Sequence, residues 1–322
     1  EFRINPPVLM RLKMLNLTNK IRLTDEQRIK RFELPSGQLS MVLDTDTFNE
    51  IDDQFAIVYA LLNKDRIKTE AILAAPFLYN HVESAGEGMI KSYEEILRLY
   101  DLMGENPDGL VYKGAERFME SPDRPVESEA VSRLIELAKQ PRDGYLYVVS
   151  IAAPTNVSSA IVLCPEIMDK IVVVWLGGQP YHWQTAAEFN LRQDMAASKI
   201  LFDSGVPLIH IPCREVSENL KTTVQELAEN LKGTSPVGDY LCKIFAEYMV
   251  KFNRQAKEIW DVANIALLVN PDWVPTKIVE TPILTDEMKW LHGGQRHKTA
   301  VATDVKRDEV FADFFEKMKK LS

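Results

Sequence analysis

Four carboxylates, Asp44, Asp46, Asp52 and Asp53, fall within ten residues of the stretch Met41-Val-Leu-Asp-Thr-Asp-Thr-Phe-Asn-Glu-Ile-Asp-Asp-Gln-Phe-Ala-Ile57. Carboxylates so close repel one another, and some take up protons unless a cation sits among them. Oxygen donors with no neighbouring His or Cys select a hard ion, Ca²⁺ or Mg²⁺. The plainer reading of Asp52-Asp53 is a helix cap, since orphan N–H groups and the helix dipole favour acids there.

Stepping from the acids to the chain that carries them, Met41, Val42 and Leu43 read as the end of a buried strand. Helical periodicity starts at about Asp53, with Phe55, Ala56, Tyr59, Ala60 and Leu62 among the inward positions. The acids therefore sit where open α/β sheets bind ligands, at the carboxyl end of a strand. Further strands are expected at Thr69–Ala75, Tyr145–Ile151, Lys170–Leu176, Pro207–Ile211, Thr276–Leu284 and Thr299–Thr303. Helices are expected at Glu87–Met103, Glu127–Lys139, Thr155–Leu163, Asp194–Ser204 and from Arg307. The segment Glu105–Val126 reads as a surface excursion, and Ser217–Val269 as mostly helical. Alternation at this spacing predicts parallel βαβ units: an α/β fold with an open, mostly parallel twisted sheet flanked by helices, Rossmann-like at its core. One domain is expected over residues 39–322, with residues 1–38 an N-terminal extension packing on it.

Composition bounds the function. The chain has 322 residues, 46% hydrophobic and 26% charged, with a net charge of −9, which disfavours nucleic acid as a partner. No apolar run is long enough to span a membrane. Residues 1–31 carry eight Lys/Arg against three Asp/Glu, but Asp25 and Glu26 interrupt the basic run and no secretory segment is visible. Cys164, Cys213 and Cys242 are too few and too far apart for a disulfide framework or a zinc site, so a cytoplasmic protein is expected.

Other strand ends carry polar residues: Ile151-Ala-Ala-Pro-Thr-Asn156, Gly177-Gly178, Ala187-Glu-Phe-Asn190 and the late Trp260-Asp261. Taken singly, these read as caps, turns and loops. Taken in order, D-x-D, D-D, A-P-T-N, L-G-G, A-E-F-N and W-D resemble the inosine–uridine nucleoside hydrolase family, from about Met41 to Asp313. The resemblance implies hydrolysis of the N-glycosidic bond of ribonucleosides to ribose and free base. It also implies Ca²⁺ held by Asp46, Asp53, Asp261 and the Thr155 carbonyl, with Asp46 the general base on the metal-bound water. Asp44 matches a supporting position behind the ligands. Asp52, Glu188 and Asn190 resemble the groups that hold the ribose hydroxyls. A homodimer or homotetramer is implied as well.

Three departures stand out. The family opening D-x-D-P-G-x-D-D is two residues longer here and lacks Pro-Gly. Phe77 replaces an Asn that follows the second strand, with Asn80 close by. Trp260 stands where many members place the His that protonates the departing base; His182, Trp183 and Trp260 are the candidates to replace it, as acid or by stacking. Two competing readings remain: a weakly active nucleoside- or ribose-binding or assembly protein on the same scaffold, and a haloacid-dehalogenase-type phosphatase with Asp44 as nucleophile.

Overall fold

The computed structural model describes residues 23–321; residues 1–22, most of the expected N-terminal extension, lie outside the described residues. Among the described residues twelve strands follow in chain order: β1 Leu39–Thr45, β2 Ile67–Ala74, β3 Val111–Lys113, β4 Leu146–Ser150, β5 Ile171–Leu176, β6 Leu208–Ile211, β7 Lys221–Thr223, β8 Ala256–Glu258, β9 Thr276–Glu280, β10 Ile283–Leu284, β11 Trp290–Leu291 and β12 Lys298–Ala302. Eight build one open sheet in the order β3-β2-β1-β4-β5-β6-β12-β9. All its pairings are parallel except β12 with the edge strand β9. The expected α/β class and open sheet are observed.

Strand residues alternate between two cores. Met41, Leu43, Tyr147, Val149, Val172 and Val174 face the helices Asp52–Leu62, Ala85–Met103, Pro236–Lys251, Val262–Val269 and Arg307–Lys319. Val42, Leu146, Val148, Val173 and Trp175 face Glu129–Lys139, Thr155–Leu163 and Met195–Asp203. Both faces are covered, which is why the strands read as nearly continuous apolar runs. Strand order reverses between β1 and β4, so the crevice beyond their carboxyl ends is the natural ligand position.

A short helix, Asp25–Arg31, opens the described chain with a capping box between Thr24 and Gln27. Arg28 donates to the carbonyls of Gly205 and Leu23, and Asp25 accepts from the backbone N–H of Lys298. These bonds hold the helix against the end of the sheet bearing β12.

Several boundaries differ from the pattern-based expectation. The excursion Glu105–Val126 contains β3, a three-residue edge strand too short to show alternation. Ser217–Val269 is mostly helical, as expected, but also carries an antiparallel ribbon of β7 and β8. The strand expected over Thr276–Leu284 ends at Glu280, and β10 pairs instead with β11. The helix expected over Asp194–Ser204 begins at Met195 because Asp194 is its N-cap, accepting from the Ala197 N–H.

Candidate active site

β1 delivers Asp44 to the middle of the sheet, where it pairs in register with Ser150 of β4. Its two oxygens accept from the Ser150 hydroxyl and the Asn156 amide, each at 2.9 Å. Burial pushes its carboxyl up to about 7 against those two bonds. With no exposed surface and both oxygens engaged, Asp44 braces β1 to the neighbouring strand. It is not placed as the nucleophile of a phosphatase.

Beyond Thr45 the longer loop closes as a turn, with the Asn49 N–H donating to the Asp46 carbonyl at 2.8 Å. The turn keeps Asp46 buried and carries the chain to Asp52, where the helix begins one residue before the expected start. No side chain caps this helix, so Asp52 and Asp53 occupy its electropositive first turn. Asp261 reaches them from the start of Val262–Val269. One oxygen each from Asp52, Asp53 and Asp261 lies within 4.8 Å of the others. Burial, followed by mutual repulsion, raises Asp46 and Asp261 well above the carboxylate range. Burial and the Asp52 charge take Asp53 to about 8, against hydrogen bonds from Thr45 and with Asp261. Asp46 also has an oxygen, Oδ2, buried without a partner.

These side chains form the floor of a cavity of about 430 Å³, which Glu188, Asn190, Arg214 and Trp260 also line. Glu188 caps the helix Phe189–Gln193 and accepts from the N–H groups of Asn190, Leu191 and Gly178. Gly178 holds φ at 72°, a left-handed angle that suits glycine, and its N–H reaches Glu188. At Gly177 a Cβ would lie 2.3 Å from the Trp175 ring, so the turn is glycine by close approach as well. The Asn190 amide nitrogen ties the end of β4 to the end of β5 through the carbonyls of Ile151 and Leu176. Asn190 therefore holds the cavity wall in place while its amide oxygen stays available to a ligand.

Thus Asp46, Asp52, Asp53, Glu188, Asn190, Trp260 and Asp261 come together in one cavity. The tightest acidic set differs from the expected ligand set: Asp52 joins Asp53 and Asp261, and Asp46 lines the same cavity outside that set. Thr155 is buried, its hydroxyl given to Asp194 at 2.8 Å. His182 and Trp183 turn away from this cavity, both toward Glu215, and His182 is exposed against an adjoining cavity of about 370 Å³. Asn80 is exposed, and Phe77 is buried under Gly88.

Sequence reasoning missed the cations. Lys257, 1% exposed, donates to Glu50 at 2.6 Å and sits 3.7 Å from Asp52. Burial alone would lower its ammonium, but the Asp52 and Glu50 carboxylates outweigh it and hold it above the ordinary lysine value. Glu50 belongs to the lengthened loop, so the insertion brings its own counter-ion contact. The Arg214 guanidinium lies 5.6 Å from the centre of the Trp260 ring. In Ala256-Lys257-Glu258-Ile259 the lysine stands beside a glutamate, a pair that reads as solvated surface, so nothing local announces its burial.

Comparisons with known proteins bear on the fold and the family. The profile of the inosine-uridine preferring nucleoside hydrolases fits residues 41–312. The pyrimidine-specific ribonucleoside hydrolase RihB of Escherichia coli is 26% identical over 178 residues, covering 53% of this chain and 54% of that protein. The matched segment thus spans about half the length of that curated relative. The purine-preferring ribonucleoside hydrolase from Gardnerella vaginalis superposes with a TM-score of 0.70 at 22% identity, over 88% of this chain and 98% of that one. The inosine-uridine preferring nucleoside hydrolase from Bacillus anthracis gives 0.65 at 18% identity, over 88% and 100%. With the profile matching most of its length, the chain belongs to the inosine-uridine preferring nucleoside hydrolase family.

Proposed function

We propose that the chain hydrolyses the N-glycosidic bond of ribonucleosides, releasing ribose and free base, with Ca²⁺ held by Asp46, Asp53, Asp261 and the Thr155 carbonyl. The observation that carries the reading is the single cavity with buried acids on its floor, Glu188 and Asn190 on one wall and Trp260 on another. The acids fit a hard dication. They are oxygen donors whose carboxyls burial and repulsion push up, and the Asp46 Oδ2 is buried without a partner. Asp52 can lean toward the same ion, and its salt bridge to Lys257 opposes that, leaving it to hold a ribose hydroxyl.

The residues supply the chemistry as follows. When bound, the ion orients the ribose diol and makes water more acidic. The free oxygen of Asp46 takes a proton from an attacking water. Asp52, Glu188 and Asn190 hold the sugar hydroxyls, and the acidic floor favours the positive charge that develops on the ring as the base departs.

Reducing-sugar release from inosine and uridine, with metal analysis of protein purified without chelator, tests this reading. Turnover with about one Ca²⁺ per chain is expected. Zinc in its place, or full activity without metal, overturns the metal assignment. Ribose binding without sugar release would favour the binding-protein reading. A homodimer or homotetramer is proposed, to be read by light scattering, and a cytoplasmic location is retained as a proposal. Among the described residues no helix is long and apolar enough to cross a membrane.

With Trp260 in place of an acid and His182 held outside the cavity, the base leaves by stacking or by a proton from solvent. Purine nucleosides, which stack and protonate well, should therefore outpace uridine. Trp260→Ala should slow inosine about tenfold, the scale of one lost aromatic contact, while largely sparing p-nitrophenyl riboside, whose leaving group needs no proton. Equal losses on both would reduce Trp260 to a packing role.

A further inference from the structure

A second recess of about 420 Å³ adjoins the acidic cavity and shares Glu50, Arg214 and Trp260 with it. Its character is the reverse of its neighbour's. Arg214, Lys221, Arg254 and Lys257 line it against only two carboxylates, Glu50 and Glu258. The β7–β8 ribbon builds the recess: Lys221 and Glu258 face each other in register, and Lys257 stands next to Glu258.

The cations are only partly neutralised. Glu258 serves two of them, Lys221 at 3.1 Å and Arg254 at 3.9 Å. Glu50 is committed to Lys257 at 2.6 Å, and Arg214 reaches out of the recess to Glu218 at 3.0 Å. The side chains of Arg214, Lys221 and Arg254 are about half exposed, so an incoming group can reach them. In a chain of net charge −9, positive charge placed beside this cavity opposes both cation binding and positive charge on the ribosyl ring. An anion carried by the substrate reverses that penalty, because the same side chains then bind it. A phosphate monoester brings close to two negative charges and three acceptor oxygens, and the arginine forks with a lysine beside them suit it.

We infer that this recess is a phosphate subsite, and that the preferred substrates are phosphorylated ribosyl compounds, ribonucleotides, which span from the acidic floor past Trp260 to Lys221 and Arg254. The inference rests on the ribosyl-hydrolase reading above and extends it to the charge of the substrate.

Rates with calcium-loaded protein on inosine, inosine 5′-monophosphate and inosine 5′-diphosphate test it, the two nucleotides reporting how far the phosphate must reach. The kcat/KM for the better nucleotide should exceed that for inosine by about tenfold or more, the scale of one charge-assisted contact. In Lys221→Gln/Arg254→Gln that ratio should fall about tenfold, and Lys221→Arg should retain it. Added salt should erode the ratio in the parent protein. A ratio at or below one in the parent, or a ratio unchanged in the double variant, overturns the subsite and leaves nucleoside hydrolysis standing. If no compound is cleaved, the hydrolase reading fails, and calorimetry with inorganic pyrophosphate decides the subsite alone. Binding that the double variant loses upholds it, and absence of binding in the parent overturns it. Thermal melts of each variant confirm that the compared proteins are folded.

Discussion

Asp46→Asn should lower kcat by about 10²–10⁴-fold, the usual contribution of a positioned general base. The argument rests on the state of its side chain. Asp46 is 2% exposed and lines the cavity, with Oδ2 free of any partner. A buried polar atom without a partner costs stability and marks a place where a ligand, ion or water completes the site. The amide replacement is nearly isosteric, so packing survives while the basic oxygen and one negative charge are lost. The lost charge also weakens any cation there, so rate and metal content have to be measured together at saturating Ca²⁺. Asn190→Ala is the contrast. Its amide ties β4 to β5 and it lines the cavity without contributing charge, so KM and kcat should suffer while metal content holds. Near-normal kcat in Asp46→Asn with calcium bound would remove Asp46 as the base.

How much of this was legible in the sequence depends on the range of the interaction. The sheet was readable because strands buried on both faces are apolar runs, and Met41–Leu43 or Ile171–Leu176 can be little else. The acids of the opening loop were readable because four like charges after a buried strand demand an explanation within a few residues. Asp261, Glu188 and Asn190 were found by their motif order, and the fold brings all three to the same cavity. What stayed hidden is long-range. Lys257 meets Glu50 across 207 positions of sequence, and its strand is three residues long, too short for a period to declare itself. His182 looked suitable by residue type, yet Glu215 holds both it and Trp183 outside the acidic cavity. Glu215 itself holds a left-handed φ of 65°, which its residue type does not announce. Asn80 failed for a simpler reason: proximity in sequence to Phe77 did not bring it to the cavity.

Chelation should destabilise the protein, and by more as pH rises from about 5 to 8. In the unfolded chain the aspartates lose their protons near pH 4. In the folded, metal-free site Asp44 holds its proton to about 7 and Asp53 to about 8, burial being the first cause of each, and Asp46 and Asp261 are raised in the same direction. Between those limits the folded state binds more protons than the unfolded one, so stability falls with rising pH. For Asp44 alone a rise of about three pKa units corresponds to roughly 4 kcal/mol lost across the window. A dication among Asp46, Asp53 and Asp261 replaces those protons and lets the carboxylates ionise, so the loaded protein should escape most of the penalty arising from the ligands. Below about pH 6 a different pair adds an opposing slope to both forms. Burial lowers His210 to about 4 and His297 to about 3, the latter with help from Arg296 and Arg28. The unfolded chain takes up protons there that the folded one refuses, so this contribution falls as pH drops, and it shows most clearly in the loaded protein. Melting curves with excess Ca²⁺ and with chelator should therefore converge near pH 5 and separate by about 10 °C near pH 8, a few kcal/mol in a chain of this size. A gap that stays constant or closes with rising pH would show that the acids do not hold the ion. If Mg²⁺ closed the gap as well as Ca²⁺, the site would be a general one for hard dications and the choice of calcium would fail, because a flexible set of buried carboxylates should favour the larger ion.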